Sequence, residues 1–238
     1  MSDHIVKSYD DDLAALRNML AAMGGLAEDQ LAKGIDALVK RDTRLADEVI
    51  LGDEKVDAME LAVEEKAILT IAKRQPMAKD LRAIMVSIRI AADLERIGDL
   101  AKNVAKRAHA ISDQLPRKLI AGLQRMGQLS LAQLKNVLDA LAANDAERAI
   151  EVWRHDEDID ALYNSIFREL LTYMMEDPRM IGACTHLLFA AKNIERIGDH
   201  ATNIAENVYY LVHGKTIKDE RPKKDVTSTT QFPALGNG

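Results

Sequence analysis

A chain of 238 residues with 47% apolar residues can bury one large core or two small ones, and its formal charge of −6 argues against the basic face that nucleic-acid binding requires. Cys184 is the only cysteine, which excludes an internal disulfide and a zinc knuckle. Aromatic residues make up 4% of the chain while Ala, Leu, Ile, Met, Glu, Lys and Arg dominate, a composition that favours helices over strands.

Residues 1–12 are polar and acidic, unlike a secretory signal. The first predicted helix spans about 6–40. Leu13, Leu16, Leu20, Met23 and Leu31 recur in steps of three and four, with Ala27 between the last two. Gly24-Gly25 falls inside it. Each glycine costs about 1 kcal/mol there relative to alanine, so a kink or a close helix crossing is expected.

Asp42-Thr43 starts a second helix, 43–74, with either residue able to cap it. Val49, Val56 and Val63 form a heptad seam filled by Leu45 and Met59, a pattern suited to nearly antiparallel packing. Gln75-Pro76 ends it, because a residue preceding proline is pushed out of the helical region. The third helix, 77–114, ends at Leu115-Pro116. The fourth, 117–143, stops at Asn144-Asp145, and the fifth, 146–175, at Asp177-Pro178. The sixth, 178–213, closes on Gly214. Residues 215–238 are polar, with Lys223-Lys224 and a Ser/Thr run, and read as a disordered tail. No apolar run approaches the ~20 residues of a membrane span, and a cytoplasmic location is expected.

The chain repeats itself at an offset near 100 residues. Residues 93–106, Asp-Leu-Glu-Arg-Ile-Gly-Asp-Leu-Ala-Lys-Asn-Val-Ala-Lys, match 193–206, Asn-Ile-Glu-Arg-Ile-Gly-Asp-His-Ala-Thr-Asn-Ile-Ala-Glu. Asp53 to Asp57 pairs with Asp156 to Asp160, and Pro76 with Pro178. The predicted architecture is all-α: six long helices in two tandem three-helix bundles related by a pseudo-twofold, 1–115 and 116–214, followed by the tail.

Each repeat carries acidic residues at helical spacing. Glu95 and Asp99 share one face, continued by Asn103; Glu195, Asp199 and Asn203 repeat the line. Asp53 and Asp57 share a face extended by Glu60 and Glu64, and Asp156 and Asp160 repeat the pair, with Tyr163 where Glu60 would fall. Like charges at this spacing repel, and a multivalent cation between them would turn repulsion into coordination. Oxygen-only ligands suit Mg²⁺, Mn²⁺, Ca²⁺ or iron. The alternative is a solvated acidic face paired with Arg96, Arg196, Lys55 and Lys102.

Gly98 and Gly198 lie between the carboxylates, where a close helix or an ion would explain them. His200, next to Asp199, is a possible extra ligand or a rim residue. No Glu-x-x-His pair flanks the acids, and no phosphate loop, nucleophile elbow or His-Glu-x-x-His motif occurs. Three functions remain open on the residues: a regulatory adapter, a carboxylate-bridged metallohydrolase or oxidase, and a structural scaffold.

The doubled Glu-Arg-Ile-Gly-Asp at 95–99 and 195–199 is similar to the signature of the PhoU family of phosphate-transport regulators. So are Ala72-Lys73-Arg74-Gln75-Pro76 with Asp80-Leu81-Arg82, and Thr172 to Asp177; the resemblance runs from about residue 8 to 214. It implies metal clusters, of magnesium, manganese, iron or zinc, held by Glu/Asp-x-x-x-Asp motifs. These fall on Glu95, Asp99, Glu195 and Asp199, and the same pattern covers Asp53, Asp57, Asp156 and Asp160. It also implies dimerisation, contact with the phosphate transporter's ATPase subunit and with the phosphate-sensing histidine kinase, and restraint of uptake and signalling when phosphate is plentiful. Membrane association would come only through those partners, and no enzymatic activity is implied.

Overall fold

The structure, a computed structural model, describes residues 2–111 and 117–219, with side chains from 10 to 111 and from 118 to 219. Helices account for nearly all of these residues, and no strand occurs among them. In chain order they are α1 (Ser2–Lys40), α2 (Thr43–Arg74), α3 (Lys79–Lys106), α4 (Arg117–Ala143), α5 (Ala146–Arg154), α6 (Asp156–Glu176) and α7 (Ile181–His213). Short 3₁₀ turns follow α3 at Arg107–Ala110 and precede α7 at Pro178–Met180.

The breakers act as their chemistry requires. Asp42 caps α2 by accepting the Leu45 amide at 3.0 Å, and Asp145 caps α5 by accepting from Glu147 and Arg148 at 3.1 and 3.0 Å. The residue before each cap, Arg41 or Asn144, turns left-handed with φ of 56° and 51°. Gln75, before Pro76, also turns left-handed and donates its amide to the Ile71 carbonyl.

The first helix begins at Ser2 rather than about 6 and the third at Lys79 rather than 77, and two further boundaries differ from expectation for a visible reason. The third helix stays α-helical only to Lys106; its last turn tightens to 3₁₀ and sets Ala108 into a small core with Ala46 and Val49 of α2. Its expected end at Leu115-Pro116 lies outside the described residues. The fifth rod is divided at His155, whose ring nitrogen Nδ1 bonds the Glu151 carbonyl at 2.8 Å. That contact competes with backbone pairing, and Asp156, Glu157 and Asp158 then favour a fresh helix N-terminus. The matching position in the first repeat is Gly52, where α2 runs on unbroken.

Helices α1–α3 form one three-helix bundle and α4–α7 the other, with α1 packed on α4 and α3 on α7 between them. Among the described residues, α2 and α6 make their main contacts within their own bundles. The largest core runs through both repeats, joining Leu16, Met23, Leu31, Ile84, Ile90 and Ile97 to Leu134, Val137, Ile197, Ile204 and Val208. A second core holds Leu119, Leu123, Met126, Ile159, Ile166 and Ile194, with Cys184 inside it. Each fully buried Leu or Ile contributes roughly 1.5–3 kcal/mol. Residues 220–238, most of the expected tail, lie outside the described residues.

Candidate functional site: two carboxylate clusters

Each bundle presents one cluster where its outer helix meets the motif helix: α2 against α3, and α6 against α7. In the first, Asp53 is 3% exposed, Asp57 is exposed, and Glu95 and Asp99 are partly exposed. Lys102 reaches from α3 across to α2 and donates to Asp53, while bonding Asp99 Oδ1 at 2.6 Å. Arg96 lies 3.3 Å from Glu95 and 3.8 Å from Asp99. The acids are therefore partly neutralised by Lys102 and Arg96, two of the four cations expected of a salt-bridged face.

The electrostatics follow from this crowding. Burial raises the Asp53 carboxyl above its ordinary value, and Asp57 and Asp99 add to that against the pull of Lys102. Burial also raises Glu95 and Glu60, with neighbouring acids contributing: Glu60, Asp99 and Asp57 at Glu95, Glu64 and Asp57 at Glu60. Burial alone would lower the Lys102 ammonium, but its bonds to Asp53 and Asp99 hold it above the usual lysine range.

In the second cluster Asp156, Asp160 and Glu195 are 2%, 3% and 3% exposed, and Asp199 is partly exposed. Lys192 bonds Glu195 Oε1 at 2.9 Å and lies 4.9 Å from the centre of the Tyr163 ring. Thr202, where the first repeat has Lys102, donates to Asp156 Oδ1 at 2.9 Å and accepts from Gln133 Nε2 at 3.3 Å. Burial above all pushes the Glu195 carboxyl up to about 7; Asp199 and Asp160 add to the effect and Lys192 opposes it. Tyr163 is buried core, which accounts for the shorter acidic stripe here.

Gln30 and Gln133 were not legible as site residues. They stand 103 residues apart on α1 and α4, each beneath its own cluster, 6% and 7% exposed. A Cβ on Gly98 would lie 3.4 Å from Gln30 Oε1 and from Asp53 Oδ1; on Gly198 it would lie 3.2 Å from Gln133 Oε1. The motif glycines thus make room for a buried glutamine and, in the first repeat, for a carboxylate. The repeat itself was the available signal, a glutamine at the same register in each half. His200 faces the joint between repeats, with Nδ1 2.9 Å from Asp93 Oδ1, which also accepts from Asn203 at 3.3 Å.

Among the described residues no three His, Cys, Asp or Glu side chains converge as a ready ligand cage; in the first cluster an ammonium stands between the acids. The donor chemistry nonetheless suits a hard cation. Asp53 Oδ1 and Glu195 Oε2 are buried oxygens with no hydrogen-bond partner, a costly arrangement that a cation would relieve.

Tandem three-helix bundles, each with a carboxylate cluster between its outer helix and its motif helix, define a two-repeat all-helical protein. The chain belongs to the PhoU family: a PhoU domain matches residues 20–108 and again 123–208. It is 58% identical over 227 residues to the phosphate-specific transport system accessory protein PhoU homolog of Rhizobium meliloti (strain 1021), covering 95% of this chain and 96% of that one. To the accessory protein PhoU of Escherichia coli (strain K12) it is 40% identical, covering 92% and 90%. The crystal structure of PhoU from Pseudomonas aeruginosa matches with a TM-score of 0.82 at 39% identity, over 87% of this chain and 100% of that one. These relatives are named as accessory proteins, not enzymes. No helix among the described residues is long and apolar enough to cross a membrane.

Proposed function

We propose that this chain restrains phosphate uptake and phosphate-starvation signalling, acting at the cytoplasmic side as an adapter between the high-affinity phosphate transporter and the phosphate-sensing histidine kinase. The observation that carries this reading is the near end-to-end match to phosphate-specific transport system accessory proteins, 58% identical in one case. Two copies of one motif suit docking on the paired ATPase subunits of a transporter and on a dimeric kinase. Homodimerisation belongs to the same reading and is checked by sedimentation.

The reading includes cation binding. Asp53, Asp57, Glu95 and Asp99 would hold one set of ions and Asp156, Asp160, Glu195 and Asp199 the other. A bound divalent cation would supply positive charge that ties the outer helix to the motif helix in each bundle. The two buried unpartnered oxygens, Asp53 Oδ1 and Glu195 Oε2, support it.

Deleting the gene tests the regulatory role. Phosphate-starvation genes should become active in phosphate-rich medium, and purified protein should capture the transporter ATPase or the cytoplasmic part of the kinase. Starvation genes that stay repressed in the deletion strain, with no capture of either protein, would sink the adapter reading.

A further inference from the structure

The two clusters differ in what already stands between their helices. In the first, the Lys102 ammonium bridges Asp53 on α2 and Asp99 on α3, with its side chain 20% exposed. Bridging carboxylates on two helices is what a divalent ion would do there, so lysine and metal compete for the same two carboxylates, Asp53 and Asp99. Arg96, beside Glu95 and Asp99, lowers the negative charge further.

The same register in the second repeat holds Thr202. Its fully buried hydroxyl satisfies one oxygen of Asp156 but brings no charge. The lysine on this side, Lys192, enters from the other end of the motif and is 39% exposed, so water can take over its solvation as it leaves. Glu195 Oε2, buried, has no hydrogen-bond partner to give up.

We propose that Lys102 is a built-in occupant of the first cluster, so that divalent cations fill the second cluster first and enter the first only by displacing this ammonium. The proposal rests on the cation-binding reading above and adds an order of filling to it. The displaced ammonium must give up two charged hydrogen bonds, which sets the expected difference between the clusters at about tenfold or more in affinity. With one strong and one weak cluster the half-loaded chain becomes the dominant species over a range of cation concentrations, whereas two equal, independent clusters never leave more than about half of the chains in that state.

The test uses Mn²⁺ and the full chain, with free ion read by electron paramagnetic resonance after equilibrium dialysis. Glu195→Gln with Asp199→Asn leaves the first cluster, and Glu95→Gln with Asp99→Asn leaves the second. The second-cluster protein should bind at least about tenfold more tightly than the first-cluster protein. Lys102→Thr, or Lys102→Met if the shorter side chain unfolds the bundle, should bring the first cluster close to the second. Equal affinities in the two halves, or a first cluster unmoved by both Lys102 variants, overturn the proposal and leave cation binding standing. No retained Mn²⁺ in the unaltered protein or any variant overturns both.

Discussion

Leu138 of α4 occupies the space into which a side chain on Gly24 of α1 would grow: a Cβ there would meet Leu138 Cδ2 at 2.6 Å. The relation recurs 103 residues on. A Cβ on Gly127 would meet Ile35 at 2.7 and 2.8 Å, so each repeat offers a glycine to the other's branched side chain. The expected close crossing at Gly24-Gly25 is therefore real at Gly24, and α1 carries it without a break. The pseudo-twofold is built into the packing between the halves as well as into the motifs.

This sets three substitutions apart. Gly127→Ala should destabilise by about 1–3 kcal/mol, because the near atoms of Ile35 include the stiff Cγ1 and Cγ2 as well as the tip. Gly24→Ala should cost less, since the terminal methyl groups of Leu138 can turn aside. Gly25→Ala has nothing within 4 Å and should stabilise by roughly 0.5–1 kcal/mol by removing glycine's entropic cost in a helix. Urea midpoints of the three variants, at unchanged slope, check the order and the change of sign.

The metal-free protein should lose stability as pH rises from about 4.5 to about 7. The buried Glu195 carboxyl is held near 7, above the ordinary glutamate value of 4.5. Between those limits the folded chain binds a proton that the unfolded chain has released, so stability is full below the window and declines through it. Glu195→Gln should flatten part of this slope, leaving the smaller upward shifts of Asp53, Glu60 and Glu95, which act in the same sense. Denaturation midpoints with a chelator, from pH 4.5 to 8, give the measurement. An unaltered slope in the Gln variant would show that Glu195 does not titrate in this range.

The sequence made the fold legible because its punctuation is local. Asp42, Asp145, Pro76 and Gly214 act through their own backbone, and the Glu-Arg-Ile-Gly-Asp motif repeats in plain letters. What escaped depends on contacts between helices. Gln30 and Gln133 read as ordinary polar residues because nothing in α1 or α4 shows that a motif glycine lies opposite. The division at His155 turns on one side-chain bond to Glu151. Lys102 was visible as a possible salt-bridge partner, but its reach to α2 was not.

Removing Glu95 and Asp99 together should leave the fold intact in the absence of metal, though the gain is smaller than repulsion between acids alone suggests. Asp99 is paired with Lys102 and Arg96 and its side chain is 35% exposed, so its ion pairs are worth about 0–1 kcal/mol. Asp53→Asn removes the charged partner of Lys102 but also a carboxylate whose burial outweighs that pairing, and its amide oxygen can still accept from Lys102, so it should change stability by less than about 1 kcal/mol at neutral pH. Thermal unfolding of both variants beside the unaltered chain, with chelator present, separates the two effects.

The shared core makes a prediction about the halves. Helix α3 buries Ile84, Ile90, Leu94 and Ile97, and also Ala91 and Ala101, so its apolar face is removed from water. Helix α7 is similar, with Leu187, Ile194, Ile197, Ile204 and Val208 buried beside Ala190, Ala201 and Ala205. All of the first set and part of the second belong to the core that joins the repeats. Separating the halves would expose this shared apolar surface to water. The full chain should therefore unfold in one cooperative transition by circular dichroism and by Trp153 fluorescence, since that indole is buried on α5 and donates to Glu206 of α7 at 3.0 Å. Fragments 1–115 and 116–214, made separately, should self-associate and should regain native helix signal when mixed. Two separate transitions in the full chain, or a monomeric and cooperatively folded fragment, would show instead that each bundle stands alone.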